Sequence, residues 1–260
     1  MQKISLLSCL LLICFNINTQ GQQTGRNRQP GADFRKNIIK FNLFSPLVKS
    51  YSFQYERGIS PDISIALGIR LQPKSSIPFK SAAETFIDNE ADADNTGLKF
   101  VQEARLGGWA LTPEFRYYFG KKPLNGFYLA PFLRFGGHHL DWNYDFKMED
   151  GDYKPVRLDG SANFFSGGVL LGAQWHIREH IVLDWWILGP QYGNYKIKLS
   201  GSGDFSDLTP EDKQQLKENI EGIGYGGHKF KAEISDTRVT AENKLGIPGI
   251  RTGFCLAFTF

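Results

Sequence analysis

Along most of the chain, apolar and polar residues alternate with a period of two. Leu111, Pro113, Phe115, Tyr117 and Phe119 interleave with Thr112, Glu114, Arg116 and Tyr118. An alternation of this kind gives an extended strand one apolar and one polar face. The pattern recurs in Ile63–Leu71, Phe127–Phe135, Gly167–Trp175, Ile181–Gly189 and Thr252–Phe260, with shorter versions at Ile39–Leu43 and Tyr51–Tyr55. No long amphipathic helix separates these segments, so the pattern predicts eight strands in a sequential antiparallel meander.

The connections alternate too. Those at 58–62, 120–126 and 176–180 are short, whereas those at 72–110, 136–166 and 190–251 are long. Only the first hairpin, through Ser45–Lys49, has a short connection on the long side. Structureless loops of such length are unusual in a compact soluble domain and normal on the outer surface of an outer-membrane barrel.

Charge placement separates a membrane barrel from a soluble one. Six nine-residue segments contribute five apolar-face positions each, and none carries Asp, Glu, Lys or Arg, in a chain that is 22% charged. The opposite face holds Arg70, Glu114, Arg116, Arg134 and Asp184. An apolar face built from Phe, Trp, Tyr and Leu is too bulky for the inside of eight strands, so it is expected to point outward into lipid. Nine residues at about 3.3 Å each, tilted about 40°, rise roughly 23 Å, close to the apolar band of such barrels. Tyr55, Phe119, Phe127, Trp175 and Phe260 would form one aromatic girdle beside the short turns, and Tyr51, Trp109, Phe135 and Phe165 the other.

In this frame the interior receives Lys40, Glu56, Arg70, Glu114, Arg116, Arg134 and Asp184, with Gln54, Tyr118, Tyr128, Phe132 and Trp186. Buried charges persist only when paired, so Glu114 and Asp184 are expected to be held by arginines across a sealed lumen.

Composition adds location. Lys3 precedes the apolar run Ile4–Phe15, and polar residues come after it, the order of a secretory signal peptide over residues 1–21, cut after Gly21 with Thr19 at the minus-three position. Ile13 before Cys14 is not small, against a lipoprotein signal. Residues 22–37 would be a periplasmic segment and 38–260 the barrel. Cleavage would leave Cys255 alone, with no intramolecular disulfide. The apolar run is too short for a membrane-spanning helix, and a net charge of +3 gives no sign of a nucleic-acid binder.

The chain ends Phe254, Cys255, Leu256, Ala257, Phe258, Thr259, Phe260, and the alternating Phe254, Leu256, Phe258 and Phe260 resemble the C-terminal signal read by the outer-membrane barrel assembly machinery. Asn42–Pro46 (NLFSP), Tyr55–Pro61 (YERGISP), Thr112–Phe119 (TPEFRYYF) and Gly126–Arg134 (GFYLAPFLR) resemble a family of small outer-membrane barrels of unknown function from Bacteroidetes-type bacteria. That resemblance implies an outer-membrane location, contact with lipid and lipopolysaccharide, and no catalytic residues to carry over.

Candidate chemistry is sparse. Asp88, Glu90, Asp92 and Asp94 alternate like calcium ligands but lack the glycine and the closing glutamate of an EF-hand loop, so a solvated loop is expected and no metal site. His138, His139 and Asp141 lie beyond the outer girdle, with Ser161 and Ser166 on the returning segment, yet no spacing enforces a triad. Thr209, Pro210 and Asp212 predict a helix start, running to about Ile220 with Gly222 near its end. Pro113 and Pro131 cannot donate ladder hydrogen bonds, and bulges are expected there. The reading is a non-enzymatic outer-membrane barrel without cofactor, sealed inside and acting structurally or through its surface loops toward an unidentified extracellular partner. A lipid-modifying enzyme and a narrow pore are the alternatives.

Overall fold

The computed structural model describes residues 36–78, 80–81, 102–148, 151, 153–222 and 230–260. The residues expected to form the signal peptide and the acidic run at 88–94 lie outside them. The described chain is all-β, a single antiparallel sheet that closes on itself. Its strands are β1 (Asn37–Asn42), β2 (Tyr51–Gly58), β3 (Ile63–Ser76), β4 (Arg105–Tyr118), β5 (Gly126–Lys147), β6 (Tyr153–His176), β7 (Ile181–Ser202), β8 (Lys231–Ile234) and β9 (Arg238–Thr259).

Each of β1 to β6 pairs with its successor, β7 pairs with β9, and β9 pairs with β1 through Ile38↔Thr259 to Asn42↔Cys255. The ring therefore has eight strands. The ninth, β8, was not anticipated; it pairs with Val239–Glu242 of β9.

Strand lengths correct the expected loops. β5, β6, β7 and β9 have 22, 24, 22 and 22 residues. The expected connection of about thirty residues between β5 and β6 is in fact a hairpin, paired up to Lys147↔Tyr153. Above Phe135 the outward residues turn polar, as at Asp141 and Asn143 opposite Asp159 and Arg157, so the alternation fades while the ladder continues.

The prolines do not produce bulges. β4 and β5 keep one register from Leu111↔Phe135 through Glu114↔Phe132 to Tyr117↔Leu129. Pro113 stands opposite Leu133 and Pro131 opposite Phe115, and neither pair registers in the ladder, because each proline removes one of the two bonds such a pair exchanges. Glu114↔Phe132 between them survives. Outside this thinned seam runs a groove of about 600 Å³ lined by Ile65, Leu67, Pro113, Phe115, Pro131 and Leu133. Pro131→Val is expected to restore one bond and slow amide hydrogen exchange at Phe115 and Leu133. Unchanged exchange would place the gap elsewhere.

Register shifts lie at Gln72/Ser75 on β3 and, on β7, between Trp186 and Gly189, a shift also felt opposite Leu171/Gly172 of β6. The second reverses the face of the residues beyond it. Gly189, expected outside, is buried, and Leu188 is exposed.

At the long-connection end, α1 (Pro210–Gly222) begins as expected. Thr209 Oγ1 accepts from the Asp212 amide at 3.0 Å, and Asp212 Oδ2 accepts from the Thr209 amide at 3.3 Å, a reciprocal N-terminal cap. Leu216 and Ile220 of α1 pack with Leu208, Phe205, Trp142, Val156, Leu158, Val239 and Ala241 into an apolar core at that end of the strands.

Candidate functional site: the ion network inside the barrel

Alternation along each strand delivers side chains to the interior, and the registers set their height. Ile38 lies beside Glu56, Glu56 beside Ala66, and Ala66 beside Glu114, so the ionic residues of β1 to β4 gather near one level. Lys40, Glu56, Glu114, Arg116 and Asp184 are all buried, none more than 4% exposed.

Arg116 is the hub. Its Nη1 donates to Asp184 Oδ2 at 2.8 Å and to Glu56 Oε2 at 3.2 Å; its Nη2 donates to Gln54 Oε1 at 2.7 Å and Glu114 Oε2 at 3.0 Å. Lys40 Nζ donates to Asp184 Oδ2 at 2.6 Å and to Gln174 Oε1 at 2.5 Å, and pairs with Glu56 Oε2 at 2.5 Å.

Hydroxyls and amides complete the carboxylates. Tyr118 and Ser64 donate to Glu56 Oε1 at 2.6 and 2.5 Å, and Tyr128 and Trp186 donate to Asp184 at 2.7 and 3.0 Å. Gln54 Nε2 donates to Glu114 Oε1 at 2.7 Å. Gly172 makes room for Tyr128, since a Cβ there would come within 2.3 Å of the Tyr128 ring.

The expected membership needs two corrections. Arg251, missed because the last segment was cut at Thr252, lies 2.5 Å from Glu114 Oε1 and 4.0 Å above the Trp186 ring. Arg70 and Arg134, expected in the network, stand on the same face at a higher level, and neither has a carboxylate partner among the described residues. The network thus holds three bases, Lys40, Arg116 and Arg251, against three acids, Glu56, Glu114 and Asp184. Its formal charges cancel.

The outside of the ring is the inverse. Ile39, Phe53, Ile65, Leu67, Ile69, Phe115, Leu129, Leu133, Val169, Leu171, Trp185, Leu256 and Phe258 are exposed. Of the expected girdle, Tyr55, Phe119, Phe127, Trp175 and Phe260 are exposed beside the short connections or the C-terminus, and Tyr51, Trp109, Phe135 and Phe165 are exposed toward the other end. Phe254 is half-buried, and Cys255 is free and fully buried.

The histidines part company. His138 points inward and stacks on Phe164 with ring centroids 5.3 Å apart, whereas His139 is exposed, directly across from Ser161. Asp141 accepts from Lys74 Nζ at 2.6 Å, a bond that with the lysine charge holds its carboxyl below the usual range. His139, Asp141 and Ser161 share a polar pocket with Lys74 and Lys198, but no hydrogen bond joins His139 to Ser161 among the described residues. Ser166 is buried, and its hydroxyl donates to the Arg134 carbonyl at 3.4 Å.

Comparison with protein families matches residues 6–201 to the family described as "Protein of unknown function (DUF3575)". The chain belongs to the DUF3575 family. The match spans β1 to nearly the end of β7, and so includes every member of the ion network except Arg251. No curated protein matches this DUF3575 chain.

Proposed function

We propose that this DUF3575 chain is an integral outer-membrane β-barrel, sealed by its ion network, with a structural or surface-interaction role at the long-connection end. The observation that carries the reading is the inversion of polarity. Large apolar side chains are exposed around the ring while six charged groups are buried within it. In water this arrangement would leave a broad apolar surface unprotected. In a bilayer it satisfies both faces, because the closed ring leaves no unpaired edge and the outward residues meet hydrocarbon. No helix of the described residues is long and apolar enough to cross a membrane, so crossing would fall to the strands.

Phe254, Leu256, Phe258 and Phe260 would then present the assembly signal, the girdles would sit at the lipid and lipopolysaccharide interfaces, and the signal peptide would direct export. Membrane fractionation is expected to leave the protein in the outer membrane, migrating faster on gels when unheated. A soluble periplasmic monomer would contradict the reading.

The competing pore is tested separately. Eight strands leave an interior only wide enough for side chains to fill. Planar-bilayer recording of the purified protein is expected to show no steady conductance. A stable ion-selective current would promote the pore.

A further inference from the structure

Between the ion network and the apolar core at the long-connection end lies a stretch of lumen with different chemistry. Along β5 the inward residues run Phe132, Arg134, Gly136, His138, and solvent reaches Arg134 and His138, which are half-buried. Arg70 on β3 is half-buried at the same height, since Arg70 pairs with Ala110 and Ala110 with Gly136.

Strand spacing and rise put the Arg70 and Arg134 Cα atoms roughly 12 Å apart, within reach of two arginines converging on one group. The inward residues of β4 between them, Ala110 and Thr112, are both small.

The two arginines are provided for differently from those below. Arg70 Nε donates to Ser50 Oγ at 3.0 Å, which aims the guanidinium and leaves both terminal nitrogens without a partner among the described residues. The Arg134 guanidinium lies 6.0 Å from the centre of the Phe164 ring, with no hydrogen-bond acceptor among the described residues. Glu114, the acid of the network nearest this level, is already engaged by Arg116, Arg251 and Gln54. Because the network below is neutral in itself, Arg70 and Arg134 carry two positive charges that are uncompensated among the described residues. Such groups are normally paired when withdrawn from bulk water.

We propose that this chamber binds a phosphate group between Arg70 and Arg134. A guanidinium offers two parallel donors that match phosphate oxygens, and two of them match its double negative charge. The proposal does not depend on where the barrel resides. The phosphate can belong to a small solute or to a lipid headgroup whose chains stay outside the chamber.

The test uses the full chain, folded in uncharged detergent. Inorganic phosphate is titrated calorimetrically in one arm, and detergent micelles doped with phosphatidic acid, against diacylglycerol-doped controls, in the other. Saturable binding is expected in at least one arm, weakened tenfold or more by Arg70→Gln and by Arg134→Gln, and less in Arg70→Lys and Arg134→Lys, which keep the charge but not the two parallel donors. Unheated gel mobility verifies that each variant is a folded barrel. Binding of inorganic phosphate assigns a solute, and binding of phosphatidic acid alone assigns a headgroup. Binding in neither arm, or binding unchanged in both glutamine variants, would overturn the proposal and leave the two arginines merely hydrated.

Discussion

Replacing Arg116 with methionine is expected to destabilise the barrel by about 3–5 kcal/mol, the range for removing one partner of a buried ion pair. The methionine fills much of the volume but returns none of the donors. Glu56, Glu114 and Asp184 would be left with Lys40 and Arg251, an uncompensated negative charge at a site sealed from water. Urea unfolding in phospholipid vesicles, followed by tryptophan fluorescence, measures the loss. The informative control is Arg134→Met, which removes an inward arginine without a carboxylate partner among the described residues. It is expected to cost less than about 1 kcal/mol. Equal losses for the two variants would show that the network is not organised around Arg116.

Leu67→Arg is expected to cost about 2–4 kcal/mol in the same assay, the penalty for a guanidinium on the lipid face near the bilayer midplane. Leu67 is exposed at the centre of the apolar stretch Ile63–Leu71, beside the proline seam. The same change at Leu71, toward the girdle, is expected to cost about 0–1 kcal/mol, because an arginine there reaches the interface. On a water-facing surface both substitutions would be close to neutral. A depth-dependent cost is therefore specific to lipid contact, and equal small effects would argue for a soluble barrel.

The strand faces were legible in the sequence because alternation assigns every residue of a regular strand to one side. Parity alone places Lys40, Glu56, Glu114, Arg116 and Asp184 inside. Parity does not give height. Arg70 and Arg134 share the face of Glu114 but lie above it, and only the stagger of neighbouring strands, with Arg70 level with Ala110 and Gly136, reveals this. Arg251 has the right parity but precedes Thr252, where the apolar signal begins. The same loss of signal concealed the extensions of β5 to β7 and β9, whose outer parts carry Asp141, Lys198 and Glu242 on their exposed face. The shift in β7 falls at the end of its alternating segment, directly before Pro190, where parity has no further apolar residues to test it, so Gly189 is expected on a face that the bulge reverses.

Lipid contact of the apolar outside of the ring is open to direct test by nitroxide scanning of residues 65–69. Single cysteines at each position, with Cys255 replaced by alanine, are labelled in protein reconstituted into vesicles. Labels at 65, 67 and 69 are expected to collide freely with oxygen and scarcely with a water-soluble nickel chelate, while those at 66 and 68 are shielded from both. Strong collision of the chelate with labels at 65, 67 and 69 would contradict it.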